Sequence, residues 1–118
     1  KYYIGSIIPY SNDLKTGLLN VNPELIKKHG AVSSEVVTEM AQLVRKKLNT
    51  DFSIATSGIA GPTGGSEEKP VGTVWIAISS EKRTFSWKVQ LGSNRLRIIS
   101  ETALHALNGL RKELISQE

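Results

Sequence analysis

The residues able to do chemistry here are a lysine, a serine and an arginine at the ends of elements, together with a glycine-rich loop. Lys15 follows Ser11-Asn12-Asp13, which offers an N-cap for a short helix over Leu14 to Leu19. Its ammonium then falls in a first helical turn, where the positive end of the dipole disfavours a cation; that position and partial burial both act to lower its pKa. A lysine that is neutral near physiological pH is a usable general base. A solvated surface lysine is the alternative, since most lysines are that. Ser57 stands where the apolar run Phe52-Ser53-Ile54-Ala55 opens into the loop Gly58-Ile59-Ala60-Gly61-Pro62-Thr63-Gly64-Gly65. Four glycines in those eight residues let the backbone take positive φ and approach a ligand without a Cβ in the way. Arg95 and Arg97 open the last helical stretch, again against the dipole, and a nearby anion would make a cation comfortable there. Plain surface arginines remain the alternative.

Other chemistries lack their residues. The loop is neither G-x-x-x-x-G-K-[ST] nor a G-x-G-x-x-G that opens a helix. It runs into a strand, so it offers an anion no helix N-terminus, only a cradle of backbone N–H groups. A wide strand connection with no ligand is the bland reading of it. Two isolated histidines, no cysteine and no H-E-x-x-H leave no metal-ligand set, and no cofactor is expected. The carboxylates are scattered, and a Ser-His-Asp triad can be assembled only by choosing residues freely. Hydroxyl chemistry supported by a lysine is what remains.

The net charge of +4 invites a nucleic-acid reading, but its placement argues against one. Lys27-Lys28, Arg45-Lys46-Lys47 and Arg111-Lys112 each fall near an expected helix C-terminus, where cations suit the dipole. No apolar run reaches the ~18 residues that span a membrane. The lack of cysteine rules out a disulfide framework and suits a reducing cytoplasm.

These residues need a scaffold, and 118 residues make one domain with a genuine core. Tyr2 to Tyr10 is expected as a strand ended by Pro9. A short helix follows Asn22-Pro23 over Glu24 to Lys28, with His29 in its last turn beside a glycine C-cap. Ser33 caps an amphipathic helix that ends at Asn49. Val36, Val37, Met40, Ala41, Val44 and Leu48 line its apolar face, while Glu35, Glu39, Arg45 and Lys46 meet solvent. Val71 to Ser79 is apolar on both faces and reads as a central strand. Arg83 to Leu91 alternates like its half-exposed antiparallel partner. Ser93 is expected to cap a final helix whose stripe Leu96, Ile99, Ala103, Ala106, Leu107, Leu110 and Leu114 covers the sheet, leaving His105 exposed. The expected fold class is α/β: a mixed sheet with helices on both faces.

Thr56 to Pro62, continued by Glu67-Glu68-Lys69-Pro70-Val71-Gly72-Thr73-Val74, resembles the signature of the CinA C-terminal domain family (competence/damage-inducible protein A). Tyr10-Ser11-Asn12 with Lys15, and His29-Gly30-Ala31-Val32-Ser33, extend the resemblance over nearly the whole chain. That family includes nicotinamide mononucleotide deamidases of pyridine nucleotide salvage. The resemblance implies a three-layer α/β/α sandwich, a cytoplasmic homodimer and a pyridine mononucleotide substrate. It also implies a Ser-Lys amide hydrolysis in which Lys15 is the base and Tyr10 relays a proton or orients it. Ser57 and the backbone of Gly58, Ile59, Ala60 and Gly61 would hold the oxyanion or the substrate, beside Asn12. Arg95 is the candidate for the phosphate. Two departures stand out. Ser57 replaces the family's usual threonine, which keeps the hydroxyl. The family's nucleophilic serine, in an A-E-S-C-T-G-G-like motif, belongs ahead of Lys1, so residues 1–118 are expected to be a domain lacking its N-terminal strand and helix. A non-catalytic ligand-binding or assembly domain of a competence- or damage-related protein is the alternative.

Overall fold

The structure, a computed structural model, describes residues 2–118. Its centre is a three-stranded antiparallel sheet in the order β1 (Phe52–Gly58), β2 (Thr73–Ser80), β3 (Thr84–Gln90). The register sets Ala55 against Ala77 and Ile76 against Trp87, so residues of one parity share a face on all three strands. β2 is central and buried on both faces, as its doubly apolar sequence requires. Helices cover both faces in the expected three-layer α/β sandwich. All the strand pairings among the described residues are antiparallel.

One face of the sheet carries α3 (Ser34–Leu48). Ser33 Oγ accepts from the Val36 N–H at its start, and Asn49 ends it at φ 52°. Val36, Val37, Met40 and Ala41 are buried against Ala55 and Ala77, as the periodicity requires. Arg45 departs from expectation. It lies half-buried on the sheet, where Nε donates to Ser79 Oγ at 3.2 Å, because its long stem can follow apolar surface down to a buried hydroxyl.

The other face carries α4 (Arg95–Ser116), and here the expected packing is corrected. Asn94, not Ser93, is the N-cap; its Oδ1 accepts from the Arg97 N–H at 3.1 Å. The helix turns Ile98, Thr102, Ala106, Gly109 and Glu113 toward the sheet. Of the stripe read from the sequence, Ala106 is buried and Leu110 half-buried, while Leu96, Ile99, Ala103, Leu107 and Leu114 are exposed. Two contacts fix this rotation. A Cβ at Gly109 would stand 2.5 Å from Trp87, so the helix can approach the indole only on that side. One turn on, Glu113 is 3% exposed and takes both Nε (2.8 Å) and Nη2 of Arg83, while the Gln117 amide bridges Ser80 Oγ (3.0 Å) and Glu113 Oε2 (2.7 Å). The clamp pulls the Glu113 carboxyl down to about 2, with the Arg83 bonds as the leading cause.

Residues 2–30 form an arm beside this core. The expected strand over Tyr2 to Tyr10 is not formed: Tyr2, Tyr3, Ile4, Ile8 and Tyr10 are exposed, and the segment's one internal backbone bond is Tyr10 N–H to the Ile8 carbonyl. Strand propensity expresses itself only against a partner, and this segment makes no ladder with β1. α1 (Asn12–Gly17) starts two residues earlier than expected because Ser11 is the N-cap, its Oγ accepting from Leu14 N–H at 3.2 Å. α2 (Pro23–His29) has Asn22 as N-cap and Gly30 as C-cap at φ 78°. Ile7, Leu19, Val21, Leu25 and Ile26 join the apolar cluster on the α3 side of the sheet. No helix among the described residues is long and apolar enough to cross a membrane.

Candidate functional site

Lys15 is buried, with 8% of its surface exposed. Its Nζ donates to the Pro9 carbonyl at 3.0 Å, and no carboxylate among the described residues comes within 4.0 Å of it. Burial without a counter-charge lowers its pKa. The direction agrees with the sequence expectation; of the two causes expected, first-turn position and partial burial, the first does not hold. Since α1 begins at Asn12, Lys15 sits in the last turn of a six-residue helix, where the dipole would favour its charge. Desolvation is what acts on it.

Ser57 is half-buried near the end of β1, directly opposite Trp75. It lies two residues past Ala55 and therefore on the same face, the one over which the arm's Ile7, Leu19 and Val21 pack. Lys15 and Ser57 thus belong to one side of the sheet. No hydrogen bond among the described residues joins them. Tyr10 is 86% exposed and Asn12 is exposed; Tyr10 adjoins the carbonyl that holds Lys15, and neither side chain makes a hydrogen bond among the described residues.

The loop beyond Ser57 is a built structure. Ile59 extends the ladder: its N–H donates to the Thr73 carbonyl at 3.0 Å and its carbonyl accepts from Gly72 N–H at 2.7 Å. Its N–H is therefore committed, which corrects the expected cradle. Alternation along an antiparallel strand then turns the Gly58 N–H to the open edge of β1. Gly61 has φ 78°, and a Cβ there would stand 2.6 Å from Val71 Cγ1, so only glycine brings the loop this close to its own returning limb. The Gly61 carbonyl accepts from Arg95 Nη1 at 2.8 Å. Arg95 lies in the first turn of α4, as expected, and its guanidinium ties the loop to that helix with one of its five donors. Arg97 instead pairs with Glu101 at 3.3 Å along the helix.

Lys15 in the arm, the open edge at Gly58, and Arg95 tied to the Gly61 loop are therefore three separate stations. The CinA C-terminal domain family model matches residues 1–114. The chain belongs to the CinA C-terminal domain family. A CinA-like protein of Cytophaga hutchinsonii is 49% identical over 113 residues, 96% of this chain and 27% of that protein. A putative competence-damage inducible protein of Thermoanaerobacter pseudethanolicus is 41% identical over 92% of this chain and 26% of its own length. Among solved structures, a competence/damage inducible protein, CihA, from Agrobacterium tumefaciens superposes with TM-score 0.85 at 35% identity, over 87% of this chain and 64% of that one. The competence damage-inducible protein A of Klebsiella pneumoniae gives 0.88 at 30% identity, over 93% and 68%. The chain thus spans about a quarter of the length of these curated relatives.

Sequence reasoning missed two members of this assembly. Lys69 reaches the His29 carbonyl at 2.6 Å, and Arg83 clamps Glu113. Lys69 stands in the quoted signature but outside any helical or strand period, so its type and position said nothing about a contact 40 residues away.

Proposed function

We propose that this CinA-family domain serves the hydrolysis of the carboxamide of nicotinamide mononucleotide, releasing ammonia and nicotinate mononucleotide. What supports the reading is Lys15: a buried lysine, free of any carboxylate among the described residues, whose pKa burial lowers toward the range of a working base. In this mechanism a serine Oγ, contributed from outside residues 1–118, attacks the amide carbonyl carbon while neutral Lys15 takes its proton. The tetrahedral intermediate places negative charge on the former carbonyl oxygen, which the Gly58 N–H and the Ser57 hydroxyl can meet. Collapse breaks the C–N bond as the Lys15 ammonium returns the proton to the amide nitrogen, which departs as ammonia. A water molecule, deprotonated by Lys15, then frees the nicotinate from the serine ester. Asn12 and the Gly61 loop border the substrate, and Tyr10, next to the carbonyl that holds Lys15, is the candidate to relay a proton. A cytoplasmic homodimer is the assembly this reading implies. The test is ammonia release from nicotinamide mononucleotide by the full-length polypeptide, with residues 1–118 alone expected to be inactive. Equal turnover by both would remove the external nucleophile, and none by the full-length protein would end the reading.

Arg95 has donors to spare beyond Gly61, and a phosphate at the first turn of α4 would also meet the positive helix end. Arg95→Ala should weaken binding of nicotinamide mononucleotide by about 10-fold or more, the worth of a charge-assisted hydrogen bond. Nicotinamide riboside, which lacks the phosphate, should lose much less, and only through loosening of the loop. Calorimetric titration of both ligands decides it; equal losses would make Arg95 a loop tie and nothing more.

A further inference from the structure

The lysine arm and the glycine-rich loop come from distant parts of the chain, yet a Ser-Lys hydrolysis needs them at a fixed spacing. Apolar packing holds the arm to the α3 side, and Arg95 holds one limb of the loop to α4. One hydrogen bond among the described residues joins residues 2–30 to residues 59–72: Lys69 Nζ to the His29 carbonyl, at 2.6 Å. We propose that Lys69 is a positioning residue, which sets the spacing between the Lys15 arm and the loop that continues from Ser57 and Gly58 and is tied to Arg95 at Gly61. The tie stands on geometry alone; its effect on turnover rests on the deamidase reading.

Both ends of the tie are prepared. On the loop, Ser66 and Lys69 close a reciprocal turn: Ser66 N–H donates to the Lys69 carbonyl at 2.9 Å, and Lys69 N–H donates to Ser66 Oγ at 3.0 Å. The turn, with Pro70 restricting the next φ, fixes the direction in which the Lys69 side chain leaves the backbone. On the arm, His29 is the last residue of α2, so its carbonyl has no partner within the helix and lies at the negative end of the dipole. Glu67 and Glu68 are neighbours in sequence, but neither forms a salt bridge with Lys69. The ammonium answers the helix end instead. Lys69 is half-buried, so the bond is partly sheltered from competing water.

The test uses the full-length polypeptide carrying Lys69→Met or Lys69→Arg, with amide hydrogen exchange and steady-state kinetics read side by side. Lys69→Met should speed exchange by about 10-fold or more in the loop and at the C-terminal turn of α2, with the β2 amides unchanged. Its kcat should fall by about 10- to 10²-fold, the cost of an ångström-scale misplacement, with a smaller rise in KM. Lys69→Arg should restore both, because a guanidinium can donate to the same carbonyl. Unchanged loop exchange in the Met variant, exchange that rises evenly across the domain, or failure of arginine to restore the loop would each overturn the proposal. If the wild-type protein releases no ammonia from nicotinamide mononucleotide, the deamidase reading fails by itself, and the exchange comparison alone decides whether the tie exists.

Discussion

Lys15→Met should abolish most turnover while making the fold slightly more stable. The loss expected is about 10²–10⁴-fold in kcat, the range for removing a general base. The stability gain follows from burial. Desolvation sets the folded-state pKa of Lys15 below its unfolded value, so the folded protein at neutral pH bears the cost of a buried cation. That cost is present below the folded pKa and is relieved as pH rises toward the unfolded value. Methionine keeps the length and the apolar stem and removes the charge, at the expense of one bond to the Pro9 carbonyl. A rise in Tm of roughly 2–5 °C at pH 7 is expected in a domain of this size. Lys15→Arg should restore neither property, because a guanidinium stays charged throughout the working range. The acidic limb of the kcat/KM profile reports the free base in wild type and should vanish in the methionine variant. Wild-type turnover from either variant would leave Lys15 an ordinary structural lysine.

Glu113→Gln should lower Tm by at least about 5 °C at pH 7, with a difference from wild type that closes in acid. The carboxyl is held at about 2 by Arg83 first, then Gln117, against an unfolded value near ~4.3. A depressed carboxylate contributes its stability fully above the unfolded pKa and loses it as pH falls through the folded one. Thermal melts from pH 7 down to pH 2 therefore should converge for the two proteins. A gap that stays constant across that range, or no gap at pH 7, would show that the Arg83 clamp does not stabilise the fold. The clamp also bears on the site. It sets the rotation of α4, and that helix carries Arg95 at its other end, beside Gly61.

Much of the scaffold was legible in the chain. The doubly apolar run Val71 to Ser79 and the alternation of Arg83 to Leu91 identified the central strand and its partner, because each residue there packs against neighbours that the period of two dictates. The cap at Ser33, and helix starts at Ser11-Asn12-Asp13 and Asn22-Pro23, were visible as residue types ahead of apolar runs, since capping is local chemistry between residues two or three apart. The family signature marked the loop and Lys15 before any coordinate did. The rotation of α4 was not legible. Its sequence carries two stripes about a third of a turn apart, and the one chosen is the less apolar, selected by a glycine against Trp87 and a carboxylate against Arg83. The missing strand at Tyr2 to Tyr10 has the same origin: pairing needs a partner edge, which propensity cannot supply. For the site, the sequence named Lys15 and Arg95 and assigned the lysine's low pKa to a helix dipole together with partial burial. Burial alone does it, and its extent was not legible, because desolvation depends on what packs around an ammonium and not on the residues beside it in the chain. Lys69 on the His29 carbonyl lies wholly on that side of the line: residues 40 apart meet only when the sheet and its helices have already brought them together.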